Sequence, residues 1–534
     1  MPGLFTLLAV AAGVGYRLGL LLHHSPPTNS DEATMGLAAL RIALGEDFPV
    51  FFYGQAYMGT LEAWLAAPVF ALAGPSTLGL RLPALALYVL FVLLAWRLAL
   101  RLTGDRWFAL LVVVLLALGS DRIVKNQLIA GGGYPEMNPV GVALALLAYD
   151  LSAGRPGRRL PRWAAWGFLA GLMVWVDPLV LPYVAATGAV LVAFRRRELT
   201  GRAGALLGLG ALVGSGPLLA HSLVTGRSPL AAVLAASGAG QPAGWPERLY
   251  GGLVLGPPLG MGFCFPSHCA PWQLWWAAAV PVLLVVAGVA AWRTLRAVSP
   301  AGPPGRVPAL VRPSPTPTVG PDGTRTGAAV TLALVIAATA TLAGYAVSSA
   351  AGRTPIESSR YLSCLLISVP ALLWPLWTAA RRRTCGPDPA RGDPALRVAA
   401  AGVLTATLGT AVIATVGAVG AAPAARAAEA RHAELVTTLR ERGVRHVYGG
   451  YWTCNRLTFA SGEDVLCAVV DDDLNPGHDR YRPYRRAVAA STSAAWVAPA
   501  DSPLAARLNE RLRAQPTTLD LITIDGWRIY LPHR

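Results

Sequence analysis

Two adjacent carboxylates, Asp31 and Glu32, stand in the stretch NSDEATMG just past the first apolar run of the chain. Helix punctuation explains acids in a first turn, since Ser30 is a suitable N-cap and acids suit the positive end of the helix dipole. Punctuation does not account for the residues beyond the pair. A short, largely apolar helix is predicted to about Leu44, suited to lying along a membrane surface. Glu46 and Asp47 come next, then an aromatic stretch with Tyr53, Gln55 and Tyr57. Acids at a helix start, with polar-tipped aromatics behind them, make a pocket for a sugar and the chemical centre of an enzyme at a membrane face.

The elements that must position these residues are set by composition. The 534 residues are 54% hydrophobic and 14% charged, with mean hydropathy +0.47; soluble domains carry roughly 25% charged residues. Apolar runs near the ~20 residues needed to cross a bilayer recur along the chain. They lie near 3–22, 57–74, 77–96, 107–120, 137–151, 161–176, 178–194, 203–222, 272–292, 328–348, 360–380 and 398–420. An α-helical polytopic membrane protein of about 11–13 transmembrane helices is expected. The first run has no small-residue cleavage site behind it and reads as a retained helix. The net charge of +16 does not signal nucleic acid. Arginines cluster in short joints at Arg97–Arg106, Arg155–Arg162, Arg195–Arg202, Arg293–Arg312 and Arg381–Arg383, the pattern of cytoplasmic loops. The segments 23–60, 121–136, the turn around 177, 222–271, 349–359 and everything after 420 are then expected to face outside.

Residues 296–326 form a Pro/Gly-rich linker expected in the cytoplasm. From 423 to 534 the texture is that of an extracytoplasmic α/β domain. AEARHAELVTTLRERG is an amphipathic helix ended by Gly443, and VRHVYGG, EDVLCAVV and AAWVAPA read as strands. SPLAARLNERLRAQ is a second helix, and LDLITIDGWRIYLP a hairpin turning at Asp525-Gly526. Cys264 and Cys269, and Cys454 and Cys467, fall outside as two local pairs, where disulfides persist; the second pair is the expected bridge.

An acidic pair one loop after the first span, with a surface helix behind it, resembles the GT-C glycosyltransferases, in particular their protein O-mannosyltransferase and aminoarabinose-transferase branch. The resemblance covers roughly residues 1–422, plus the habit of ending in an outer soluble domain. It implies a polyprenyl-phosphate sugar donor, a membrane-lipid setting and an extracytoplasmic acceptor. It sets the catalytic acid on Asp31 with Glu32 as companion. SSRYLSCLLISVPALL resembles the Arg-Tyr-Leu start of a late helix in these enzymes, with Arg360 and Tyr361 at the outer face. GGGYPEMNP puts Glu136 on the same side after a glycine run expected to be flexible. The His-Pro-Pro stretch of the mannosyltransferases is absent. With Lys125 the lone lysine, the first-loop lysine of the aminoarabinose transferases has no counterpart.

Such transfer needs a base for the acceptor's proton and a cation for the lipid phosphate that leaves. Asp31 is the candidate base and Arg360 the candidate phosphate clamp. Neighbours on a helix point about 100° apart, so Glu32 has a separate task. It orients Asp31, binds a divalent metal ion, or faces another helix.

Plainer readings stand beside these. Tyr53 and Tyr57 suit an interfacial aromatic belt, Arg360 a snorkelling side chain, Glu136 a solvated acid, Asp177 an N-cap before Pro178, and His268 a loop histidine. Two other functions remain: a lipid-linked-sugar flippase or transporter, and a non-catalytic scaffold binding cell-envelope material. Inverted repeats and mid-span ionisable residues would mark a transporter, and the sequence has no convincing repeat.

Overall fold

The computed structural model describes residues 1–226, 228, 231, 242–266, 268–298, 321–381, 394–515 and 519–533. Most of the 296–326 linker lies outside the described residues, as does Cys385. The chain divides into two compact units. One comprises Met1–Arg17, Leu85–Gln127 and Tyr134–Val419, and the other Leu18–Ala84, Leu128–Gly133 and Gly420–Arg534.

Among the described residues seven helices are long and apolar enough to cross a membrane, or up to nine if each of two bent pairs is one span. That is fewer than the 11–13 expected, for identifiable reasons. The 57–74 run forms only Leu61–Ala73, 13 residues and about 20 Å long. Arg106–Ala117 turns by 90° into Asp121–Leu128, and Arg202–Gly214 by 60° into Gly216–Thr225. The helices Tyr134–Ser152 and Arg159–Val176 carry polar residues at their ends, which shorten the apolar stretch.

In the first unit, four of the five joints expected on the cytoplasmic side are linked by ion pairs. Asp150 pairs with Arg101 and Arg155 at 3.4 and 3.3 Å, Glu198 with Arg159 at 2.8 Å, and Asp105 with Arg381 at 2.7 Å. Each half-exposed pair stabilises little, but together they gather the joints into one layer. Small residues let Arg159–Val176 and Arg202–Gly214 touch backbone to backbone, and a Cβ on Gly167 would meet the Leu207 carbonyl at 2.0 Å. The break after Ala117 frees carbonyls that Arg17 recovers. Its buried guanidinium donates to Ala117 O at 2.8 Å and Gln127 Oε1 at 2.9 Å, and lies 3.7 Å from the Tyr88 ring centre.

The second unit holds the first-loop helix Ser30–Leu44 and a five-stranded sheet: β1 His446–Gly449, β2 Leu466–Val469, β3 Ala495–Pro499, β4 Leu519–Ile524 and β5 Trp527–Pro532. The order is β2-β1-β3-β5-β4. β1 runs parallel to β2 and β3, and the β4–β5 hairpin adds antiparallel to β3. Its two-residue turn uses Gly526 at φ +75°. Leu435 and Leu439, from the end of the 48-residue helix Pro394–Glu441, join Cys454, Leu457, Val447 and Val497 in one core. Leu504 and Leu508 of Pro503–Ala514 cover another with Ala498 and Tyr530. The expected 398–420 span and the helix ending at Gly443 are thus one element. The helices Tyr451–Ala460 and Arg482–Ala489 are additions to the sequence reading. Both cysteine pairs, Cys264–Cys269 and Cys454–Cys467, are disulfides.

Candidate active site

The first-loop helix begins at its supposed cap, Ser30, so the cap falls one residue earlier. Asn29 is the N-cap, its side chain accepting from Glu32 N at 2.9 Å. Ser30 is buried and employed elsewhere: its hydroxyl donates to Tyr451 O at 2.7 Å and accepts from Asn455 Nδ2 at 3.0 Å. Asn serves as well as Ser at a cap, which leaves the Ser30 hydroxyl for this contact. Glu32–Ala39 are all buried, so protein covers this stretch of the helix expected on the membrane surface. Met35, Leu37 and Ala39 share a core with Ala63, Phe70 and Phe459, and a Cβ on Gly36 would stand 2.6 Å from the Phe459 ring.

The two acids part company at the first turn. Both Glu32 oxygens accept from Arg81, Nε and Nη2 each at 2.6 Å, with the side chains 0% and 2% exposed. Arg81 Nη1 is held by Pro26 O at 2.8 Å. Of the three roles open to Glu32, this geometry matches facing another helix. Asp31 keeps 23% of its side chain exposed. Its Oδ1 accepts from the Tyr451 hydroxyl and from Arg480 Nη2, the latter at 3.2 Å. Arg480 Nε also donates to Tyr451 Oη at 2.7 Å. Among the described residues Oδ2 of Asp31 accepts no hydrogen bond. Burial first, and the Asp31 charge second, push the Tyr451 phenol well above its usual range, so it carries its proton at neutral pH.

The aromatic stretch folds onto the same unit's C-terminal segment. Tyr53 donates to Asp47 Oδ2 at 2.7 Å and packs its ring 5.0 Å from Tyr481. Gln55 and Tyr57 are half-buried beside it in sequence. Arg41 lies over Tyr481 at 4.5 Å and pairs with Glu46 and Glu463.

The remaining predicted residues belong to the first unit. Glu136 is buried in the first turn of Tyr134–Ser152. Arg360 and Tyr361 open the 3-10 segment Ser359–Ser368, and Arg360 lies 5.3 Å from the Tyr134 ring centre and 5.7 Å from that of Tyr361. Asp177 is a cap, accepting from Leu179 N at 2.9 Å. His268 lies 5.5 Å from the Phe265 ring, inside the Cys264–Cys269 loop.

Three residues were missed by sequence reasoning. Tyr451 and Arg480 lie in the aromatic and arginine-rich stretches YGGYWTCN and RYRPYRRAV, but nothing local points either at Asp31. Glu62 is buried at the start of Leu61–Ala73, and its Oε1 accepts from Gly132 N at 3.1 Å and Gly133 N at 2.8 Å. The glycine run expected to be flexible is therefore pinned at these two amides. Among the described residues no group of three or more His, Cys, Asp or Glu could hold a metal ion.

No family model matches the chain. A similar curated protein is the undecaprenyl phosphate-alpha-4-amino-4-deoxy-L-arabinose arabinosyl transferase of Pseudomonas aeruginosa (strain UCBPP-PA14), 32% identical over 226 residues. The match takes in 39% of this chain and 38% of that relative's length. Among solved structures, ArnT from Cupriavidus metallidurans in the apo state aligns over 98% of this chain and 97% of its own, with TM-score 0.55 and 16% identity. The same protein bound to undecaprenyl phosphate aligns over 99% and 97%, with TM-score 0.54 and 14% identity. The fold is GT-C-like, and both comparisons find proteins of the aminoarabinose-transferase branch.

Proposed function

We propose that the protein is an integral-membrane glycosyltransferase that moves a hexosyl or pentosyl group from a polyprenyl-phosphate donor to an acceptor on the outer side of the plasma membrane. The observation that carries this reading is Asp31: a partly exposed carboxylate on the first turn of the first-loop helix, one oxygen held and the other open. The curated relative's name specifies an undecaprenyl-phosphate-linked sugar and the solved ArnT is bound to undecaprenyl phosphate, which together support this donor class. Asp31 Oδ2 takes the proton from the acceptor hydroxyl or amine. The acceptor atom bonds to the anomeric carbon from the face opposite the phosphate, so configuration inverts. The bond from that carbon to the phosphate oxygen breaks, and the polyprenyl phosphate leaves with both electrons. Arg360, whose fork suits phosphate, is assigned to the leaving group, and Tyr361 and Glu136 are assigned to donor binding. Tyr53, Gln55 and Tyr57 are assigned to the sugar and acceptor. The acceptor is a cell-envelope glycan, lipid or protein.

The two disulfides favour an oxidising compartment for residues 264–269 and 454–467. That supports the outer side for the C-terminal segment.

Purified protein given a panel of undecaprenyl-phosphate-linked sugars, 4-amino-4-deoxy-L-arabinose included, tests the reading. One donor should be consumed with release of undecaprenyl phosphate. Asp31→Asn should lower that rate about 10²–10⁴-fold while leaving insertion intact, because Asn keeps the size of Asp and the helix cap is Asn29, which the substitution does not touch. A folded Asp31→Asn protein with near-wild-type transfer would return the acid to helix punctuation.

A further inference from the structure

We infer that Tyr451 and Arg480 are positioning residues for Asp31, so that the C-terminal α/β segment is part of the catalytic apparatus. The inference rests on Asp31 acting as base. A carboxylate's terminal torsion is broad, so an aspartate with 23% of its side chain exposed samples many orientations unless something holds it. Here two donors converge on one oxygen. The Tyr451 hydroxyl and Arg480 Nη2 both address Oδ1, which fixes the carboxylate plane and leaves Oδ2 as the oxygen to take a proton.

The clamp is itself braced. Arg480 has 9% of its side chain exposed, donates through Nε to the Tyr451 hydroxyl, and lies 4.8 Å from the ring centre of buried Phe52. The Arg480 backbone approaches the first loop at Gly54, where a Cβ would stand 3.5 Å from the Arg480 Cα. Gly54 has φ +77°, a conformation that L side chains avoid, so glycine suits the turn that brings the first loop against Arg480. Tyr451 is fixed at its other end, where Ser30 grips its carbonyl and Asn455 grips Ser30. The Cys454–Cys467 disulfide then ties that helix to β2. An ion pair meant for stability alone would need neither a tyrosine threaded between its partners nor a serine anchoring that tyrosine's backbone.

The test uses the full-length protein and whichever donor of the panel supports transfer. Tyr451→Phe removes one hydroxyl, and Arg480→Gln removes the charge. Each should lower kcat by about 10–100-fold, the scale set by a misplacement near 1 Å, with the donor KM unchanged. Arg480→Lys should recover part of the turnover lost in Arg480→Gln. Because both residues act through Asp31, Arg480→Gln should cost nothing further when added to Asp31→Asn.

Folding is checked by thermal melting and by closure of Cys454–Cys467 under non-reducing alkylation. If the Arg480 variants do not fold, Tyr451→Phe carries the test. Turnover within twofold of wild type in folded Tyr451→Phe and Arg480→Gln, with Asp31→Asn inactive, overturns the positioning role and leaves the base reading standing. Full additivity of Arg480→Gln with Asp31→Asn overturns it too. A fully active Asp31→Asn, or no transfer from any donor, removes the base reading and the positioning role with it.

Discussion

Asp31 and Glu32 are neighbours in sequence with opposite surroundings. A turn of about 100° sends one carboxylate toward Tyr451 and Arg480 and the other into a buried pair with Arg81. The difference is measurable. Glu32→Gln leaves the Arg81 guanidinium buried without its counter-charge, a loss of about 3–5 kcal/mol, so the variant should melt lower or fail to accumulate. Removing both charges in Glu32→Gln/Arg81→Met should restore part of that stability. A Glu32→Gln protein that melts like wild type would deny the pair its structural role.

His432 carries a second residue-scale prediction. It lies beyond the apolar 398–420 run, buried 6.1 Å from the Trp527 ring, and among the described residues its Nε2 has no hydrogen-bond partner. Burial first, and the Arg456 guanidinium second, hold its imidazole down at about 3. An unfolded histidine takes up its proton near pH 6.5. The native state is therefore at full advantage above that pH and loses it as pH falls from about 6.5 toward 3. The melting temperature should drop over that window, and His432→Leu should flatten the slope. An unchanged slope in the variant would assign acid sensitivity to other groups.

At the scale of elements, the first-loop helix Ser30–Leu44 is held by its neighbours. Gly36 lets the Phe459 ring of Tyr451–Ala460 lie where a Cβ would be. Gly36→Ala should cost about 1–3 kcal/mol through overpacking. Pairing it with Phe459→Leu should recover part of the loss. If Gly36→Ala alone leaves the melting temperature unchanged, the two helices do not pack this closely. The contact bears on the proposed site because the Tyr451 hydroxyl that reaches Asp31 stands at the start of the same helix.

For the whole molecule, the proposed topology sets the arginine joints inside and the C-terminal segment outside. The joint arginines bind one another's acids within the first unit, and the two cystines suit an oxidising side. Protease added to intact spheroplasts should therefore cleave within 424–534 and spare 296–326. Protection of the C-terminal segment with cleavage of the linker would reverse the topology and remove Asp31 from the outer face.

Much of this protein was determined by sequence alone, wherever the deciding forces are local. An apolar run of spanning length marks Pro2–Leu22, a largely apolar stretch behind two acids marks Ser30–Leu44, short apolar runs mark β1 to β3, and Asp525-Gly526 marks the hairpin, because each pattern is set within a few residues. Tertiary structure decided the rest. Whether a run of apolar residues crosses in one piece depends on breaks such as the 90° bend after Ala117, which composition does not register. Asn29 rather than Ser30 became the cap because Asn455 and Tyr451 arrive to engage the serine. Arg81 lies 49 residues from Glu32, Tyr451 lies 420 from Asp31, and Arg480 lies 449 from it. A charge's partner at such separations is chosen by which faces the packed apolar cores bring together, and no local spacing encodes that choice.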